Sequence, residues 1–115
     1  MKNGAQFIAI ITNDGWWGNT SGKDQHLLYA KLRAIETRRW IARSANTGIS
    51  GFINQRGDVV KQSKWWTSTA LKEDINLNDT LTFYVNNGDL FAKVFSALAL
   101  VLALIIPYRK WLKRS

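Results

Sequence analysis

Apolar positions along the chain fall into a few runs separated by short polar breaks, and each run carries its own period. Ala5 to Thr12 (AQFIAIIT) is nearly continuous and rich in isoleucine, the pattern of a strand buried on both faces. It stops at the turn triplet Asn13-Asp14-Gly15. Ser21 and Asp24 have the spacing of a helix start, with Ser21 accepting from the first turn and Asp24 reaching back. Leu28, Leu32 and Ile35 follow at i, i+4 and i+7, which predicts a helix from about Gly22 to Arg39 with one apolar stripe toward a core. Trp40 to Ala45 and Ile49 to Asn54 read as strands around the polar turn Asn46-Thr47-Gly48. Gln55-Arg56-Gly57-Asp58 makes a hairpin connection into Val59 to Gln62, and Thr69 to Ile75 alternates weakly as a further strand. This order implies a layered α/β or α+β unit. The first strand has no evident partner, and a unit of this size buries only about two thirds of its unfolded surface, so part of the sheet is expected to lie outside this sequence.

The last run differs in kind. Leu90 to Tyr108 is nineteen residues long, and only Lys93, Ser96 and Pro107 in it are neither apolar nor aromatic. As a helix it reaches roughly 28 Å at about 1.5 Å per residue, close to the ~30 Å of a bilayer's hydrocarbon. Phe91 at one end, Tyr108 and Trp111 at the other, and a basic cluster beyond them are membrane-type flanks. Lys93 lies less than a turn inside and can snorkel outward. A buried core helix is the rival, but from Val94 to Ile106 only Ser96 is polar, which leaves no face for water. The expectation is a transmembrane helix over residues 90–108 followed by a basic cytoplasmic tail over residues 109–115.

Charge sharpens this picture. The chain has 115 residues, with sixteen Lys and Arg against eight Asp and Glu. Five of the bases (Lys93, Arg109, Lys110, Lys113, Arg114) lie in the last fifth with no acid among them. Residues 1–92 hold eleven bases and eight acids, an ordinary surface with no basic stripe, which disfavours nucleic acid as a partner. The positive-inside tendency puts Arg109 to Arg114 in the cytoplasm and the preceding part outside it. Met1 to Asn13 holds nothing resembling an export signal, so the sequence makes topological sense as the last piece of a longer membrane protein; whether Met1 is a natural start is left open. There is no cysteine, hence no disulfide, no thiolate metal site and no thiol nucleophile, and one histidine makes no metal cluster.

The most informative stretch is Ile11 to Gly18, ITNDGWWG, where a strand ends in a turn and two adjacent tryptophans sit between glycines. Strand ends are where α/β layers place binding groups, and two large rings on a glycine hinge can form a lid over an apolar ligand. Equally, Trp16 and Trp17 can simply cover the edge of the core. His26, without a nucleophile or metal companion, reads as a hydrogen-bonded structural histidine. Arg33 and Glu36 have helix-pair spacing, and Arg43 is placed to brace the sheet. Trp65-Trp66 beside Lys61 and Lys64 has the composition of a membrane-surface patch, with an aromatic and basic nucleic-acid site as rival; Glu73, Asp74 and Asp79 weaken the latter.

TNDGWWG, then QHL at Gln25 to Leu27, AKLRAIETRR at Ala30 to Arg39 and RSANTGISG at Arg43 to Gly51 closely resemble consecutive blocks of the apolipoprotein N-acyltransferases. These are a membrane branch of the nitrilase, or carbon-nitrogen hydrolase, superfamily. The likeness runs from about Gly4 to Val60 with matching spacing, and a basic-tailed terminal span also fits it. It implies an α/β fold, a partial nitrilase-like αββα sandwich followed by one C-terminal transmembrane helix, with residues 1–85 forming the C-terminal part of the hydrolase domain. It further implies a place in the bacterial inner membrane with the globular part on the periplasmic side.

The resemblance also implies phospholipid and lipoprotein substrates and no cofactor. An acyl chain passes from phospholipid to the α-amino group of an N-terminal diacylglyceryl-cysteine, through a thioester on a cysteine assisted by a glutamate and a lysine. In the family those three residues precede the equivalent of Ala5 to Thr12, so they are missing here, and neither Glu36 nor the lysines present fill the roles. This chain by itself is expected to be inactive, completed by a missing N-terminal portion or a companion chain. What carries over is the loop: Asn13, Asp14, Gly15 and Trp16 as one wall of the active-site entrance, Trp16 contacting an acyl chain, with Trp17 where phenylalanine is more usual. The alternative is a non-catalytic membrane-anchored module that binds lipid or protein.

Overall fold

The computed structural model describes residues 1–112, with side chains through residue 105. The isoleucine-rich run forms β1 (Phe7–Thr12), which ends in a single 3₁₀ turn (Asp14–Trp17). Helix α1 (Ser21–Thr37) then returns along the sheet to β2 (Trp40–Ala45), and β3 (Gly51–Ile53) and β4 (Val59–Gln62) follow as a hairpin. The four strands pair in chain order; β1 and β2 are parallel, joined by the α1 crossover, and the remaining pairs are antiparallel. The partner that β1 lacked on pattern alone is therefore β2, in register from Phe7 opposite Trp40 to Thr12 opposite Ala45. A bulge at Phe52/Ile53 bends the hairpin.

Period-2 alternation decides which residues meet α1. Ile8 and Ile10 of β1, Ile41 and Arg43 of β2 and Ile53 of β3 point to the helix side, and the core there is Ala30, Ala34, Ile41 and Ile53, flanked by Leu27 and Val59. The stripe expected to bury, Leu28, Leu32 and Ile35, is instead on the exposed side of the helix. The buried stripe is Leu27, Ala30 and Ala34, at i, i+3 and i+7: small residues let the helix axis approach the sheet, which Leu at those positions would hold off. The helix begins one residue earlier than expected, with Thr20 as its N-cap accepting from the Gly22 N–H, while Asp24 pairs with Lys23. It ends where Arg38 takes a left-handed backbone.

β1 is not buried on both faces. Its second face, Phe7, Ala9 and Ile11, looks away from α1, and Ile11 is 89% exposed. The chain after β4 runs without regular structure through residues 63–82, so the strand expected at Thr69 to Ile75 does not form. Thr69 to Leu71 instead lie over the outer sheet face and, with Ala9, Ile11, Ala42 and Phe52, line an open cavity of about 350 Å³. The strap is tied down near the start of β1. The Asn78 N–H donates to the Gln6 carbonyl, and the fully buried Arg39 donates to the carbonyls of Ala5, Thr37 and Thr80. Short α2 (Phe83–Asn87) and α3 (Leu90–Leu112) follow, with the Phe83 and Phe91 rings 5.9 Å apart.

The C-terminal transmembrane helix expected over residues 90–108 is not supported. Among the described residues no helix is long and apolar enough to cross a membrane. The basic tail over residues 109–115 lies outside the described residues as regards its side chains, and residues 113–115 lie outside them altogether.

The two competing stripes on α1 are separable by mutation. Ala34→Leu, at a fully buried position, is expected to cost about 1–3 kcal/mol by overpacking, whereas Leu28→Ala should change stability by less than about 0.5 kcal/mol. Urea unfolding of the full chain in mild detergent, followed by circular dichroism, measures both. The reverse order of effects would mean that the periodic stripe faces the core after all.

Candidate functional site

Three elements converge where β1 ends. Asp14, first in the 3₁₀ turn, has no solvent exposure, an expensive position for a carboxylate unless it is fully partnered. It is. Arg43 Nη2 donates to Oδ2 at 2.6 Å, the Thr12 hydroxyl donates to Oδ1 at 3.0 Å, and His26 Nδ1 lies 2.8 Å from Oδ1. An ionised carboxylate only accepts, so Nδ1 carries the proton and donates. The 3.3 Å approach of Arg43 Nη2 to the same ring nitrogen is then two donors converging on one acceptor group, with no bond between them. Burial pushes the Asp14 carboxyl up, but the His26 hydrogen bond, the Arg43 charge and the Thr12 hydroxyl together outweigh it and hold the group below the ordinary carboxylate range.

Arg43 is as buried as its partner, and its Nη1 also donates to the Ile49 carbonyl at 3.2 Å. One guanidinium thus ties the turn after β1 to the turn after β2. The second turn is laced to the first elsewhere too: the Asn46 N–H donates to the Thr12 carbonyl at 2.9 Å, and the Thr47 hydroxyl donates to Asn13 Oδ1 at 2.5 Å. Asn13 Oδ1 also accepts from the Gly15 N–H, capping the 3₁₀ turn. Two glycines permit this closeness. A Cβ on Gly48 would strike the Asp14 carboxylate, and one on Gly15 would come within 2.5 Å of the Thr47 hydroxyl.

The residues singled out from the sequence thus divide by orientation. Asp14 supports the loop from behind and Asn13 laces it. Trp16 is 87% exposed and Trp17 51%, so the rings project outward from this anchored base. Trp17 leans on the first turn of α1, with its ring 2.9 Å from where a Cβ on Gly22 would be. The return is fixed by the Thr20 hydroxyl donating to the Trp17 carbonyl at 2.6 Å. Arg33 and Glu36 pair at 2.6 Å on the helix surface, as their spacing predicts. Among the described residues no three His, Asp or Glu side chains are grouped to hold a metal.

Pattern alone missed the joining of Asp14, His26 and Arg43. The signal was present: Arg43 sits at an inward position of β2, two residues from Ile41, and a charge pointing into a core requires an opposite charge nearby. In a parallel pair the end of β1 is the adjacent place to look, and Asp14 is the acid there.

The Carbon-nitrogen hydrolase family profile matches residues 1–83. The protein of Chlorobaculum tepidum named Apolipoprotein N-acyltransferase is 41% identical over 110 residues, which is 96% of this chain and 21% of that protein. The Geobacter metallireducens protein of the same name is 34% identical over the same shares. Apolipoprotein N-acyltransferase 2 of Leptospira interrogans is 44% identical over 88 residues, 74% of this chain and 15% of its own length. The chain spans about a fifth or less of the length of these relatives.

The Asp14 linkage gives a pH prediction. Its folded pKa is depressed, so its contribution is present above the unfolded value of about 3.9 and is lost as pH falls through the folded one. Stability of the full chain should therefore fall below about pH 4, and Asp14→Asn should flatten that part of the profile. At neutral pH, Asp14→Asn leaves Arg43 buried without a counter-charge and should cost about 3–5 kcal/mol. The double change Asp14→Leu with Arg43→Met should cost less than either single change. Denaturant midpoints across pH measure all of these, and an acid limb unchanged in Asp14→Asn would remove Asp14 as its source.

Proposed function

The chain belongs to the carbon-nitrogen hydrolase family, and on that premise we propose that it is the C-terminal part of an apolipoprotein N-acyltransferase. In this reading residues 1–85 complete the hydrolase domain of an enzyme that moves an acyl chain from phospholipid to the amino group of a lipoprotein's N-terminal diacylglyceryl-cysteine. The observation that carries it is the 41% identity over 96% of the chain, which takes in the whole outward tryptophan loop and its buried support. The enzyme would act at the bacterial inner membrane with this unit on the periplasmic side.

The chemistry requires a thiolate to take the acyl group as a thioester before the amine displaces it. No cysteine is present here, so the nucleophile, with its glutamate and lysine, comes from a preceding portion or a companion chain. This chain's contribution is the wall of the entrance. Asn13, Asp14 and Gly15 hold the loop in one conformation, and Trp16 and Trp17 offer apolar rings to an acyl chain. A loop fixed at its base lets the rings meet the chain without first losing freedom.

The test is a chimera in which this chain replaces the corresponding C-terminal fifth of the Chlorobaculum tepidum relative, assayed by mass spectrometry for conversion of a diacylated lipopeptide to its triacylated form. The chimera should transfer the acyl group and the 115-residue chain alone should not. Within the chimera, Trp16→Ala should lower kcat/KM about ten- to a hundredfold, the equivalent of one large ring's apolar burial, about 1.5–3 kcal/mol. A folded chimera without activity, or transfer by the chain alone, would overturn the reading.

A further inference from the structure

A second pair of tryptophans lies against the same turn of α1 as the first, and nothing in the acyl-transfer reading uses it. After β4 the chain passes Lys64 and presents Trp65 and Trp66, their ring centres 5.6 Å apart and their planes tilted by 50°. Trp66 is 61% exposed with a left-handed backbone at φ +59°, an unusual conformation for a bulky side chain, and Trp65 is partly covered. Lys23 Nζ lies 5.7 Å from the centre of the Trp65 ring, in cation–π range. Lys23 follows Gly22, the residue against which Trp17 packs. The two pairs, 48 residues apart in sequence, therefore flank adjacent residues in the first turn of α1.

We propose that Trp16, Trp17, Trp65 and Trp66, with Lys23 and Lys64, form one surface that seats on the head-group boundary of a phospholipid bilayer. Indole rings favour that boundary because they join a large apolar face to a single N–H donor that the head-group layer can satisfy. A packing role would bury the rings, whereas three of the four are more than half exposed. The charge is of the right sign. Lys64 is exposed beside the rings, and the nearest lysines on either side, Lys23 and Lys61, are held by Asp24 and Glu73, which leaves Lys64 to meet anionic lipid. Those same acids weigh against a nucleic-acid strand, which would need several uncompensated bases along its backbone.

The inference goes beyond the acyl-transfer reading and does not require it, because seating on lipid involves no chemistry. An inactive chimera would leave it standing, and failure to seat would leave the transfer assay informative. Total vesicle binding is a poor readout, since the apolar side chains of α3 are themselves exposed; the rings must be watched directly.

The full chain is mixed with phosphatidylethanolamine and phosphatidylglycerol vesicles whose acyl chains are brominated close to the head group, and tryptophan quenching is recorded. In a Trp111→Phe background, which removes the tryptophan of the C-terminal run, the expected result is a blue-shifted, quenchable emission whose quenched amplitude falls by about half in Trp65→Phe/Trp66→Phe, two of the four boundary rings having been removed. Trp40→Phe, at a buried ring, should leave that amplitude unchanged. Lys64→Glu, at an exposed site that folding tolerates, should weaken the lipid affinity read from the same tryptophan quenching on phosphatidylglycerol-containing vesicles about fivefold. Quenching that is the same with and without Trp65 and Trp66, or emission that responds to a single-stranded oligonucleotide and not to vesicles, would overturn the proposal.

Discussion

One buried ion pair organises this molecule. Asp14 and Arg43 are both removed from water; Asp14 belongs to the 3₁₀ turn after β1, and Arg43 to β2, which is paired there with β1 and β3. The carboxylate accepts from an arginine, a histidine and a threonine on three different stretches of chain. Because the acceptor is charged, each bond is stronger than its neutral equivalent, and because it is buried, no water can stand in for a lost donor. The parallel register of β1 with β2, the seat of the first turn of α1 and the path of residues 46–49 are all referred to this one group. Gly48 follows from it, since a side chain there would occupy the carboxylate's place.

The strands and the first helix were legible in the sequence because their signals are local. Isoleucine-rich β1, the breaks at Asn13-Asp14-Gly15 and Asn46-Thr47-Gly48, and the hairpin into β4 all appear within a residue or two of where they were expected. What failed depends on neighbours distant in sequence. The α1 stripe was assigned to its largest apolar residues, whereas the packing distance to the sheet selected alanines. Residues 69–75 have weak strand alternation, yet they add no strand to the sheet and instead run as the cavity strap. The second face of β1 was read as buried from composition alone, and here it is open apart from what the strap covers.

The C-terminal run shows the same limit in another form. Hydropathy over residues 90–108, with Lys93 read as snorkelling from the first turn, predicts a span; among the described residues no helix is long and apolar enough to cross a membrane.

The candidate site depends on a division of labour across five consecutive residues that composition does not reveal. Asp14 turns inward, Asn13 laces the turn at the surface beside Gly15, and Trp16 and Trp17 turn outward; the rings depend on the residues before them. Isolated large rings at a chain reversal would fold back onto the nearest apolar surface, and the exposed face of β1 offers one at Ile11. They are kept from it because the backbone on their N-terminal side is fixed by the Asp14 carboxylate and that on their C-terminal side by the Thr20 hydroxyl on the Trp17 carbonyl. Apolar residues of similar volume often match or exceed a buried ion pair in stability, so its value here is better sought in geometry: a carboxylate with three named donors has one place to sit, whereas a leucine in the same pocket has several.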